Sequence, residues 1–143
     1  MRQIMDNTAK LYDFFGEYAA FMEDMESVQK EKLDSLLSRD LLRMERSIKS
    51  QQAYAMRLEN IENRRIRLQE EAGLGGLTFS ELISRAPEEK RRELSLLFDR
   101  VKRSVSNIKY LNDKASELAS MNLRGVADAA SGESNAHRID TKV

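Results

Sequence analysis

Apolar residues return every three or four positions through most of this chain, and proline interrupts it only once, at Pro87. That period places apolar side chains on one face of a helix, and without proline such helices can run long. The first run holds Ile4, Leu11, Phe14, Phe15, Tyr18, Phe21, Met22, Met25 and Val28, continues through Lys32 to Leu36, and predicts a helix over about residues 3–38. Gly16 lies inside it, but one interior glycine costs only about 1 kcal/mol relative to alanine. The adjacent pairs Phe14–Phe15 and Phe21–Met22 span too wide an arc for a single neighbouring helix to bury. They are expected to be mainly core, although adaptable methionines also suit contact with another protein.

Ser38-Arg39-Asp40 breaks the rhythm, and the Asp40 carboxylate can accept from the free backbone N–H groups that open the next helix. Leu41, Met44, Ile48, Gln51, Ala55 and Leu58 then follow a heptad. Ile61, Arg65, Leu68 and Ala72 continue it after a three-residue slip, predicting a helix over about 40–72. A rod of about 50 Å, at 1.5 Å per residue, needs a partner along its length. Gln51 and Arg65 on the stripe predict a polar seam, looser there or open to another chain.

Gly73-Leu74-Gly75-Gly76-Leu77 stops this helix, since glycine takes the left-handed conformation that closes a helix C-terminus. Thr78-Phe79-Ser80-Glu81 has capping-box spacing and opens a short helix over about 78–85. Pro87 suits a first helical turn, and Glu88-Glu89 complement the positive end of the helix dipole. Leu94, Leu97, Val101, Ile108, Leu111, Ala115 and Leu118, widened by Phe98 and Val105, predict a last helix over 87–124. From Gly125 the residues are small and polar, and 125–143 is expected to be a flexible tail. The fold class is therefore all-α: one domain over 1–124, an elongated antiparallel bundle or coiled coil of three long helices, with a short helix in the loop before the last. Residues 1–40 hold nine acids and five bases, and 87–124 six acids and nine bases, so the first and last helices carry opposite signs that favour docking.

Composition removes several chemistries. There is no cysteine for a disulfide, thiolate metal site or thiol nucleophile, and the only histidine, His137, lies in the expected tail. Di-iron bundles need Glu-x-x-His pairs facing inward, and none of these helices carries a histidine. The glycine cluster lacks the lysine and preceding strand of a phosphate loop. No catalytic residue, cofactor or metal site is expected. Asp6 stands where a signal peptide needs an apolar run, and no segment has transmembrane length, so a cytoplasmic protein without membrane insertion is expected. The basic runs Arg64-Arg65-Ile66-Arg67, Lys90-Arg91-Arg92 and Arg100-Val101-Lys102-Arg103 could track a phosphate backbone. Interleaved acids and a net charge of zero argue against a nucleic-acid partner.

What remains is binding. The last helix keeps its apolar stripe to the edge of the tail, beyond any obvious internal neighbour, and such a helix can share a groove with a helix of another protein. Leu111, Ala115, Leu118, Met121, Leu123 and Val126 are the candidate binding residues.

The order of features also resembles the FlgN-type flagellar export chaperones: Glu31-Lys32-Leu33 through Leu36-Leu37-Ser38-Arg39-Asp40-Leu41, a long charged helix, then Ala72-Gly73-Leu74. Leu77-Thr78-Phe79-Ser80-Glu81-Leu82-Ile83 followed by Pro87 is similar to the short segment before that family's last helix. The corner is Arg39-Asp40 where the family pattern has a Gly-Asp-like pair. The resemblance covers about residues 30–124. It implies a chaperone, monomeric or homodimeric, that binds the C-terminal helices of the hook-filament junction proteins FlgK and FlgL through about Leu111 to Val126. It would hold them unassembled and deliver them to the flagellar type III export apparatus. The other readings are a structural coiled-coil adaptor and a nucleic-acid-associated helical protein.

Overall fold

Each long apolar run becomes one helix. The computed structural model describes residues 2–131, with side chains as far as residue 122. It contains α1 (Arg2–Ser38), α2 (Leu41–Glu71), α3 (Phe79–Arg85) and α4 (Glu88–Ser131). Helix α4 passes the boundary expected at Arg124. Val126-Ala127-Asp128-Ala129-Ala130 is rich in the best helix former, which outweighs the single Gly125. The rest of the expected tail, 132–143 with His137, lies outside the described residues.

Local signals set the helix ends. Asp40 caps α2, its Oδ1 accepting from the backbone N–H of Leu42 at 3.0 Å and of Arg43 at 3.2 Å. Thr78 and Glu81 close the capping box of α3 reciprocally. Gly73 and Gly76 have φ of 73° and 76°, the left-handed values that let the chain turn out of α2. Arg39 takes the same left-handed conformation, with φ 58°, at the corner between α1 and α2.

Helix α1 lies between α2 and α4. Asn7 bonds Glu71, Tyr18 bonds Glu62 and Gln29 bonds Gln51, so α1 and α2 run antiparallel. Glu23 meets Arg100, Glu26 meets Asn107 and Lys32 meets Asn112, at separations of 77, 81 and 80 positions. Helices α1 and α4 are therefore parallel, and the end of α1 at Ser38 lies level with about residue 118. The last dozen or so residues of α4 run past the α1–α2 corner, by roughly 20 Å at 1.5 Å per residue.

The central place of α1 explains its wide apolar arc. One side turns to α3 and α4: the Phe15 ring lies 4.9 Å from Phe98 and 6.0 Å from Phe79, and Phe79 stacks on Phe98 at 4.4 Å. The other turns to α2, where Phe21 stacks on Tyr54 at 5.9 Å with the Arg57 guanidinium over Tyr54. Leu11, Phe14, Phe15, Tyr18, Phe21, Met22 and Met25 are all buried in one core with Leu82, Leu94, Phe98 and Val101. Each fully buried side chain of this kind contributes about 1.5–3 kcal/mol.

Helix α2 meets α1 on a different stripe from the expected one. Its inward positions are Met44, Ser47, Gln51, Tyr54, Leu58, Ile61, Arg65, Leu68 and Ala72, an unbroken alternation of threes and fours. Leu41, Ile48 and Ala55 are exposed, so the expected phase slip does not exist. Apolarity favoured Ile48 and Ala55 over Ser47 and Tyr54; the stack of Tyr54 on Phe21 and the capped corner set the actual face.

A non-glycine residue in the left-handed region costs about 1–2 kcal/mol, only partly offset by the greater chain entropy glycine would lose. Arg39→Gly is therefore expected to raise stability by about 0.5–1 kcal/mol in urea denaturation. No gain would mean that the corner is not strained.

Candidate functional site

Packing changes character along the rod. The aromatic core ends near Met25 on α1 and Val101 on α4. Beyond it the buried residues are small or polar: Gln29, Ser35, Ser47, Ser104 and Ala115. The large apolar side chains at this end, Leu37, Leu41, Leu42, Ile48, Tyr110 and Met121, are instead exposed. One end of the bundle is thus built on an aromatic core, although Ile4 and Met5 at the start of α1 are exposed beside Pro87, and the other, toward the α1–α2 corner, has no such core and is the end left unsealed.

The two polar positions of α2 differ: Arg65 lies in a closed stretch of the seam, and Gln51 lies beside a groove between α2 and α4. Gln51 accepts from Gln29 Nε2 at 2.8 Å and donates to the Val28 carbonyl at 3.1 Å. Arg65 donates to Gln69 Oε1 at 2.6 Å and to Glu62 Oε2 at 3.0 Å, while the Tyr18 hydroxyl donates to the other Glu62 oxygen. Gln69 in turn donates to the carbonyls of Leu74 and Leu77, tying the glycine loop to the bundle. Burial, and then the Glu62 carboxylate, push the Tyr18 hydroxyl well above the usual tyrosine range. The expectation of a seam open at Gln51 and Arg65 is corrected for Arg65, whose donors are used inside this chain, whereas Gln51, although its amide is paired, lines a groove of about 230 Å³ between α2 and α4.

Two charge clamps hold the helices, one at the α1–α2 corner and one at the margin of the aromatic core. Arg43 bridges both Glu31 oxygens at 2.7 and 3.1 Å, closing the corner, and Arg100 grips Glu23 with two donors across α1 and α4. The bonds from Arg43 and Arg100 hold Glu31 and Glu23 below the ordinary carboxylate range. Several members of the basic runs likewise have acidic partners: Arg64 with Glu17, Arg65 with Glu62, Arg67 with Glu71, Lys90 with Glu93 and Arg100 with Glu23. The runs are faces of ion pairs rather than an uncompensated basic stripe.

A groove of about 320 Å³ lies where α4 leaves α1, lined by Leu33 and Leu37 of α1 and by Tyr110, Leu118 and Met121 of α4, with Lys114 and Glu117 at its edge. Of the candidate binding residues, Leu118 and Met121 line this groove. Leu111 is half-buried nearby. Ala115 is only 1% exposed and lets α4 approach its neighbours closely. Leu123 and Val126 belong to the stretch of α4 past the corner, their side chains outside the described residues. Sequence reasoning missed Leu33, Leu37 and Tyr110. Tyr110 lies off the α4 stripe, and the place of Leu33 and Leu37 in the groove depends on the register of α1 against α4, a tertiary contact.

The chemistry such a surface supports is contact with another apolar face. Among the described residues no group of His, Asp and Glu side chains could hold a metal ion, and no helix is long and apolar enough to cross a membrane. Fold and surface together define an all-helical binding protein with one end left unsealed. The family model of the FlgN protein matches residues 1–130, and the chain belongs to that family. It is thus a chaperone of flagellar protein export, of a family not known for enzymes, and its partners are of the hook-associated kind. No curated protein and no solved structure gives a match.

Because folded Glu23 and Glu31 titrate below their unfolded values, the stability they contribute is present above about pH 4.5, the ordinary carboxylate value, and is lost as pH falls through the lowered ones. A Glu23→Gln, Glu31→Gln variant is expected to lose less Tm than the wild type between about pH 6 and about pH 3. Parallel losses in thermal melts would contradict the clamps.

Proposed function

We propose that this protein captures the C-terminal helical segments of FlgK and FlgL, holds them unassembled in the cytoplasm and delivers them to the flagellar export apparatus, with no catalytic step of its own. The observation that carries this reading is the run of α4 past the α1–α2 corner beside an apolar groove. A surface of this kind on a chain with a sealed aromatic core has little role in holding its own fold. It fits an amphipathic helix read through anchors at i, i+3, i+4 and i+7. Junction proteins that polymerise through terminal apolar helices would be kept apart once those helices are covered.

Release is built into the same geometry. The contact rests on a few apolar side chains and on ordering a helix end that projects from the bundle, so part of the contact energy is offset by lost freedom. Affinity is then modest enough for hand-over at the export gate.

Leu118→Asp with Met121→Asp is expected to reduce capture of C-terminal FlgK and FlgL fragments by at least about tenfold, since anchors at the centre of such contacts carry 2 kcal/mol or more. Helicity by circular dichroism should be unchanged, because Met121 is exposed and Leu118 lies at the groove. Undiminished capture would sink the reading. Loss of helicity would mean that these side chains belong to the core.

A further inference from the structure

Three long helices in a closed bundle each pack on the other two. Here, among the described residues, no Cα of α2 comes within 8 Å of one of α4, so α1 is the floor of a trough with α2 and α4 as its walls. At the unsealed end the trough holds a groove of about 230 Å³ on the opposite side of α4 from the one just described. Met44, Ser47 and Ile48 form one wall, Ala115 and Ala119 the other, and Ser35 lies on the floor.

Two features give this groove an occupant. Its α4 wall is made of alanine and serine, which let a further helix settle close to α4, while Met44 and Ile48 on α2 and Leu36 beside Ser35 on the floor offer apolar contact, with Lys32 and Gln51 as the long polar side chains of the lining. Ser47 is only 5% exposed, lines the groove, and its Oγ has no hydrogen-bond partner. A buried hydroxyl is normally paired, and Ser35 shows the normal case by donating to the Lys32 carbonyl at 2.7 Å. The unpaired Ser47 can both donate and accept, which matches a neutral polar side chain rather than a charge.

We infer that the trough between α2 and α4 seats one amphipathic helix of the hook-associated client, completing a four-helix arrangement. Large apolar side chains lie over Ser35, Ala115 and Ala119, and an Asn, Gln, Ser or Thr meets the Ser47 hydroxyl. This rests on the client reading above and adds α2 to the client-binding surface, a helix that the candidate residues on α4 leave out. The wall formed by α4 continues past the corner, so an occupant of the trough stays in contact with the projecting helix end.

The test uses the full-length protein and C-terminal fragments of FlgK and FlgL, with affinity by titration calorimetry. Ala119→Phe fills the groove, Ile48→Glu charges its exposed wall, and Ser47→Ala removes only the hydroxyl. The first two are expected to weaken binding at least about tenfold, and Ser47→Ala by about threefold to tenfold, with wild-type helicity retained. If Ala119→Phe fails to fold, Ile48→Glu decides alone, since that side chain is exposed. Wild-type affinity in Ile48→Glu and Ser47→Ala, with Leu118→Asp still impaired, overturns the groove and leaves the client reading standing. No binding by the wild type overturns both. A wild-type dimer that Ile48→Glu converts to monomer, with client affinity unchanged, assigns the trough to a second copy and overturns the inference.

Discussion

Everything in this fold hangs on α1 being covered from two sides at once. Phe15 meets Phe79 and Phe98 on one side, while Phe21 meets Tyr54 on the other, so both adjacent apolar pairs of α1 are buried without strain. That arrangement places α2 and α4 apart, joined through α1 rather than to each other. It also fixes the register: the Tyr18–Glu62–Arg65–Gln69 chain locks α2, and the Glu23–Arg100 clamp locks α4. A parallel α1 and α4 in that register leave α4 longer than its support.

The consequence is a rod with two unlike ends. Where the glycine loop and α3 fold back, aromatic rings fill the interior and the buried polar groups named above find partners. Toward the corner the interior shrinks to serine, glutamine and alanine, and leucines, isoleucine and methionine stay outside. Small interior side chains bring the helices together with little apolar area to hold them, the condition under which local opening is easier than global unfolding.

Much of the fold was legible in the sequence because its signals are local. The Asp40 cap, the Thr78–Glu81 box and the glycines at 73 and 76 each fix a backbone angle or satisfy a backbone donor within a few residues, and all stand as expected. What escaped is set by tertiary contact. The seam of α2 follows Ser47 and Tyr54 rather than Ile48 and Ala55, because partner shape outweighs side-chain apolarity. Arg65 suggested an open seam but is satisfied by Glu62 and Gln69, whereas Gln51, paired with Val28 and Gln29, does stand at the groove between α2 and α4. On α4, the candidate stripe named Leu118 and Met121, which line the groove, while α1's share in it, Leu33 and Leu37, needed the register of two helices 80 positions apart.

Residue-resolved hydrogen exchange, with and without a C-terminal client fragment, tests the unequal halves most directly. Amides of α1 from 11 to 25, α2 from 61 to 71 and α4 from 94 to 101 should exchange only with global unfolding in both states. Those of α4 from 108 to 131 and α2 from 41 to 51 should exchange by local opening in the free protein and slow markedly once client is bound. Uniform protection along all three long helices, unchanged by client, would contradict the division on which this picture of the chaperone is built.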